Sequence, residues 1–242
     1  MNTQHQTGTR IDEIADGIYR ISTPVPPEAI PGGFTFNQYL IVDDAPLLHH
    51  TGLLKMFPAV RAAIASVIPV ESLRYVSFSH YEADECGSLN EFLELAPQAE
   101  PLCSRIAKMV SVDDVALRPA RALADGEELS LGGHAVRWID TPHLPHAWEC
   151  GHLFETTTRT LFCGDLFTQG GHEHAPLTTE DILEPSEAMR GALDYFSQTR
   201  QVTELAEKLA ATSPRILACM HGSAWQGDGA SLLRRLAARL AA

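Results

Sequence analysis

The sequence predicts a layered α/β fold, a sheet sandwich covered by helices. Two observations carry this. Strand and helix candidates come in two successive blocks rather than in strict βαβ alternation. Four apolar strand candidates also end in a histidine or a carboxylate, which would set those groups along one edge of such a sandwich.

The elements follow in order. Gly17–Thr23, Phe34–Asp43 and Pro46–His50 are rich in Ile, Val, Tyr and Phe and read as strands. Leu53–Val67 is Ala-rich with apolar residues at helical spacing. Leu73–Ser79 reads as a buried strand ending at His80, followed by a loop and a helix near Gly87–Leu95. Pro101–Cys103 is a short strand candidate and Ser104–Val110 a short helix. In the second block, Glu127–Leu131 and His134–Asp140 flank Gly132-Gly133, a hairpin signal. Gly151–Glu155 and Thr160–Cys163 form another strand pair. Helices are expected at Ser186–Ser197 and Gln201–Ala211, a strand at Arg215–Met220 and a last helix over Ala230–Ala241. The polar residues 1–16 are expected as a tail, and 17–242 as one domain.

Composition narrows the function classes. With 242 residues, 45% hydrophobic and 20% charged, the chain is ordinarily globular and close to the size at which single cores stop growing. A net charge of −13 argues against nucleic acid, whose phosphates need clustered Lys and Arg. The polar amino terminus lacks the apolar run of a signal peptide, and Met56–Val70 is too short and too interrupted to span a bilayer. Five cysteines, an odd number without a CxxC pair, suit reduced thiols, so a soluble cytoplasmic protein is expected.

The segment Ser79-His80-Tyr81-Glu82-Ala83-Asp84-Glu85-Cys86-Gly87-Ser88-Leu89 puts one imidazole and three carboxylates within six residues, at a strand end. Three carboxylates in a short loop repel one another, and burial deepens that cost unless a cation compensates. An acidic cluster at a helix amino terminus is the simpler alternative. Three further strand ends favour the cation. His143 lies in Asp140-Thr141-Pro142-His143-Leu144-Pro145-His146, Asp165 follows Leu161-Phe162-Cys163-Gly164, and His221 follows Leu217-Ala218-Cys219-Met220. Each alone is an ordinary strand-end residue; together they point to a metal site.

The order His-x-Glu-x-Asp, His, Asp, His resembles the metallo-β-lactamase superfamily, and more narrowly the diiron domain of flavodiiron proteins and their standalone oxygen-binding relatives. Glu82 stands where the general superfamily loop has its second His, the flavodiiron-like feature. Further matches are Gly87-Ser88-Leu89, Thr160-Leu161-Phe162, Asn37-Gln38-Tyr39-Leu40-Ile41 and His221-Gly222-Ser223-Ala224-Trp225. The resemblance covers about residues 17–230 and implies an αββα sandwich in a single domain. It implies one metal held by His80, Glu82 and His143, a second by Asp84 and His221, and Asp165 bridging them. Three imidazoles and three carboxylates without a thiolate suit two iron ions, with manganese or zinc as alternatives.

The chain departs from the family's pattern at two places. Glu85 stands where the family usually has a His, and is expected either to coordinate or to stand directly behind a ligand. His50 occupies the position of the usual Asp before Thr51-Gly52, which orients a metal-binding His in the family. His146 competes with His143; the His-Leu-Pro run favours His143, leaving His146 behind it or exposed. His172 and His174 could line the pocket mouth.

Two chemistries fit such a site. The resemblance implies dioxygen or nitric oxide binding, as carrier or sensor, or as a reductase module served by a separate flavin or rubredoxin-type electron donor or signalling partner. No flavodoxin-like segment and no flavin are expected within this chain. The alternative is a dinuclear hydrolase of an ester, thioester or phosphodiester using metal-activated water. Relatives commonly pair, so a homodimer is also an expectation.

Overall fold

The structure, a computed structural model, describes residues 8–198 and 200–241. Its frame is two seven-stranded sheets packed face to face. The first runs β1 (Arg10–Ala15), β2 (Ile18–Val25), β3 (Phe34–Ile41), β4 (Leu47–His49), β5 (Tyr75–Ser77), β6 (Glu100–Ser104) and β7 (Arg121–Leu123), in that spatial order. The second comprises β8 (Glu128–Ser130), β9 (Ala135–Asp140), β10 (Gly151–Glu155), β11 (Thr160–Gly164), β12 (Leu177–Thr178), β13 (Ile216–Cys219) and β14 (Ala224–Gln226). Its spatial order is β12-β14-β13-β11-β10-β9-β8.

Three apolar layers hold the sandwich together. Tyr39, Ile41, Leu47, Trp138, Leu153 and Phe162 fill the space between the sheets. Helix Phe57–Ala65 starts on Pro58, which suits a first turn, and lays Val60 and Ile64 on the outer face of the first sheet. Helices Val202–Ala210 and Gly229–Leu240 cover the second sheet with Leu205, Leu209, Leu232, Leu233 and Leu236. The longer one is capped by Asp228, whose side chain accepts from the Ser231 N–H. This is the αββα sandwich in one domain that the resemblance implies. Among the described residues, no helix is long and apolar enough to cross a membrane.

The structure corrects the amino-terminal boundary. Residues 1–7 of the expected tail lie outside the described residues, but Arg10–Ala15 is a strand paired antiparallel with β2, Ala15 opposite Ile18. The two-residue turn between them is Asp16-Gly17, with Gly17 at φ +64°, a hairpin dipeptide. The helix expected at Ser186–Ser197 runs over Leu183–Leu193 instead, stopped where Asp194 turns left-handed at φ +47°.

Topology brings the chemistry to one edge. Strand β5 runs parallel to β4 and β6, and β11 parallel to β13. Strands β9 and β11 are both antiparallel to β10, so they too share a direction. The segments after β5, β9, β11 and β13 therefore start from the carboxyl ends of their strands.

Candidate metal centre

These four segments converge. After β5, the chain presents His80 and Glu82 and then enters the short helix Ala83–Cys86, whose first turn carries Asp84 and Glu85. Successive helical positions point about 100° apart. Asp84 faces the cluster while Glu85 is fully buried behind it.

His80 Nε2 lies 2.8 Å from Glu82 Oε2, 2.9 Å from His146 Nε2 and 3.7 Å from Asp165 Oδ2. His146 Nε2 is in turn 3.1 Å from Glu82 Oε2 and 3.4 Å from Asp165 Oδ2. One donor atom from each of these four residues falls within 4.8 Å of all the others. Beside this group, His221 Nε2 lies 3.4 Å from Asp84 Oδ2 and 3.2 Å from Asp165 Oδ1. Asp165 thus turns one oxygen to each side.

The donor set fits cations. The Nδ1 side of each imidazole is already engaged: His146 with the Tyr195 carbonyl at 2.9 Å, His221 with the Thr35 carbonyl at 2.8 Å, and His80 with Ser79 Oγ at 3.0 Å. A carbonyl can only accept, so Nδ1 of His146 and His221 carries the hydrogen and Nε2 is left as a lone pair. Those lone pairs face carboxylate oxygens, which is repulsive unless a proton or a metal stands between. Asp165 Oδ1 is buried with no hydrogen-bond partner.

Without a metal, protons do this task. Burial disfavours the charged form of His221, yet Asp165 and Asp84 push its pKa up to about 10. Burial likewise opposes charge on His80 and His146, but Glu85 and Glu82 hold His80 well above its ordinary value, and Glu82 raises His146. Hydrogen bonds from His146 and His80 pull Glu82 far below the carboxylate range. Burial opposes ionisation of Asp165, and His221 outweighs it to lower the pKa.

The geometry reverses one expectation. His146 belongs to the group, and His143 is exposed and outside it. His143 takes φ +66° and its N–H donates to the Ala147 carbonyl, closing a turn; His146, nearer the far end of that turn, reaches inward. Of the remaining candidates, Glu85 sits behind His80 and His50 behind Glu85, its Nε2 3.4 Å from Glu85 Oε1. His172 and His174 line a separate cleft of about 540 Å³ with Arg10, Ser22 and Thr35. Tyr81 and Trp148 are exposed. All five cysteines are buried free thiols.

Sequence reasoning missed the groups that orient the rings. Ser79 was visible in the motif, but its role depends on rotamer. Thr35 and Tyr195 act through backbone carbonyls, which leave no trace in residue type. Phe34 and Phe36 were also missed as the wall on His221, with ring centroids 4.3 and 5.4 Å away.

The comparisons with known proteins agree with this architecture. A family profile described as "ODP family beta lactamase" matches residues 34–222. The chain is 23% identical over 218 residues to a nitric oxide reductase of Moorella thermoacetica, covering 85% of this chain and 53% of that protein. It is 26% identical over 141 residues to diflavin flavoprotein A 1 of Synechocystis, covering 57% of this chain and 24% of the relative. It spans about a third of the length of other curated relatives it matches. The solved rubredoxin oxygen:oxidoreductase of Desulfovibrio gigas superposes with a TM-score of 0.83 at 21% identity, over 95% of this chain and 61% of that one. That likeness shows the fold.

Proposed function

Because the chain belongs to the ODP family of β-lactamase-like domains, we propose that it is a diiron protein that binds dioxygen or nitric oxide. In this reading His80, Glu82 and His146 hold one iron, Asp84 and His221 hold the other, and Asp165 bridges. The observation that carries it is the two-sided placement of Asp165, Oδ2 toward His146 at 3.4 Å and Oδ1 toward His221 at 3.2 Å.

When bound, a reduced iron pair would supply the electrons with which a small diatomic ligand reacts. The chain's own residues hold and shield the site. Tyr195 and Thr35 fix the faces of His146 and His221 by accepting from Nδ1. The Tyr195 hydroxyl donates to the Asp165 carbonyl at 3.3 Å, which ties the bridging residue to the same segment that orients His146. The rings of Phe34 and Phe36 exclude water on the His221 side. Glu82 is about half exposed and opens the other side to solvent, beside a cavity of about 320 Å³ lined by Tyr81, Cys86 and Val115.

The relative named a nitric oxide reductase supports an oxidoreductase over a hydrolase. Electrons come, in this reading, from a separate flavin or rubredoxin-type donor. Metal analysis of anaerobically purified protein tests it, followed by absorbance while oxygen or nitric oxide is admitted. About two irons per chain and a spectral response to either gas are expected. Two zincs, no response to gas and turnover of an ester or phosphodiester without reductant would establish the hydrolase instead.

A further inference from the structure

We infer that Glu85, working through Ser79, decides which nitrogen of His80 carries the proton and so is the positioning residue of the cluster; this rests on the reading of His80 as a metal ligand. Glu85 is fully buried, and its carboxylate is saturated by donors from one direction. Oε2 accepts from the backbone N–H of Ser79 at 2.9 Å and of His80 at 2.8 Å. Ser79 Oγ donates to Oε1 at 2.7 Å. His80 Nδ1 then lies 3.0 Å from Ser79 Oγ and 3.3 Å from Oε1.

Proton counting fixes the tautomer. A hydroxyl has a single hydrogen, and a carboxylate can only accept. With the Ser79 hydrogen given to Glu85, its oxygen can offer His80 nothing but a lone pair. Nδ1 must therefore be an N–H, which leaves Nε2, toward Glu82, His146 and Asp165, as the position a metal can take. A relay that points only one way thus keeps hydrogen on Nδ1 and reserves Nε2 for the metal once any proton there is expelled. The packing around the relay is close. A Cβ on Gly164, at φ +50°, would stand 2.6 Å from Ser79 Oγ and 3.4 Å from Glu85 Oε1. On the other flank His50 closes the pocket, with its Nε2 3.4 Å from Oε1.

Exchanging one atom inverts the relay. In Glu85→Gln the amide oxygen stays on the two backbone N–H groups, since a donor there would oppose two donors. The amide NH2 then faces Ser79 and donates to its oxygen. The Ser79 hydrogen turns onto His80 Nδ1, and the imidazole proton moves to Nε2, where it blocks the metal.

The experiment uses the full chain and zinc ion, which is diamagnetic. Zinc affinity is measured by chelator competition, and the His80 ring is followed by long-range proton–nitrogen NMR, for the parent, Glu85→Gln, Ser79→Ala and the double variant. The parent is expected to bind two zincs with His80 bound through Nε2 and hydrogen on Nδ1. Glu85→Gln should weaken affinity by about 10- to 100-fold and lose that Nδ1–H pattern. Ser79→Ala leaves the direct Nδ1 to Oε1 contact, so its loss is smaller and the pattern stays with a shifted resonance. The double variant should still lose the Nδ1–H pattern, because the amide NH2 then takes the place of Oε1, 3.3 Å from His80 Nδ1, and donates to it directly. Full affinity and an unchanged His80 ring in Glu85→Gln overturn the inference. If that variant does not fold, an unshifted Nδ1 resonance in Ser79→Ala overturns it. A parent that binds zinc without perturbing His80 fails the ligand reading itself, a separate result.

Discussion

His80 and His146 face each other nitrogen to nitrogen, Nε2 to Nε2, at 2.9 Å. They come from segments 66 residues apart, and Glu82 Oε2 touches both rings. His146 is held in this pose by the Tyr195 carbonyl, whereas His143 points to solvent from the same loop. His146→Ala should therefore remove one of two metals per chain, and His143→Ala should leave both. Metal analysis of the two variants side by side decides it. Loss of metal from His143→Ala alone would reverse the assignment.

Asp165 is shared by both halves, so its loss should not be confined to one. Asp165→Ala takes away an oxygen 3.4 Å from His146 and another 3.2 Å from His221. Total metal should fall below one per chain at stoichiometric loading, where a single-site variant such as His221→Ala retains the His80 side. Two metals in Asp165→Ala, counted after gel filtration, would remove the bridge from the mechanism.

What the sequence made legible was local. His80, Glu82, Asp84, Asp165 and His221 each sit within a few residues of an apolar strand end, where residue pattern and chain direction coincide. The choice between His143 and His146 depends on the left-handed φ of His143 and a five-residue turn, which residue type does not encode. Glu85 differs from Asp84 only by one step of helical phase, yet one faces the cluster and the other the interior. The half-exposed edge strand β1 carries Asp12 and Glu13 and therefore reads as polar tail, although Asp16-Gly17 marked its hairpin. Strands β12 and β14 are two and three residues long, too short to show any period.

A buried histidine outside the cluster sets an acid limit on stability. His152 is fully buried, its Nε2 bonded to the Cys163 carbonyl at 3.1 Å and its Nδ1 to Thr141 Oγ1 at 2.8 Å. Burial, against weaker help from that carbonyl, pushes its pKa down to about 4. The unfolded chain protonates more readily, near about pH 6.5. The stability tied to neutral His152 is thus present above about pH 6.5 and is lost as pH falls toward 4. At pH 5 the loss is about 2 kcal/mol from this residue. His152→Gln can keep a donor for Cys163 and an acceptor for Thr141 without titrating. Its melting temperature should fall less than that of the parent between pH 7 and pH 5; parallel falls would refute the assignment.

Protons and metal compete for the same imidazole nitrogens. His221, raised to about 10 by Asp165 and Asp84 against the opposing effect of burial, is protonated at neutral pH in the metal-free chain. His80 and His146 are raised in the same sense. Metal ligation needs all three Nε2 lone pairs, so loading must expel these protons. At neutral pH protons should leave from His221 and from the His80–His146 pair, whose Nε2 atoms at 2.9 Å hold one hydrogen between them. Apparent affinity should rise with pH, by about tenfold per unit for each proton expelled, until the pH passes the pKa of that ring. For His221 the rise ends near pH 10. Calorimetry in buffers of different ionisation enthalpy counts the protons directly. His143→Ala should release the same number, since that ring lies outside the cluster, and His221→Ala should release fewer. Metal uptake at neutral pH without proton release would mean that the three imidazoles are not the ligands.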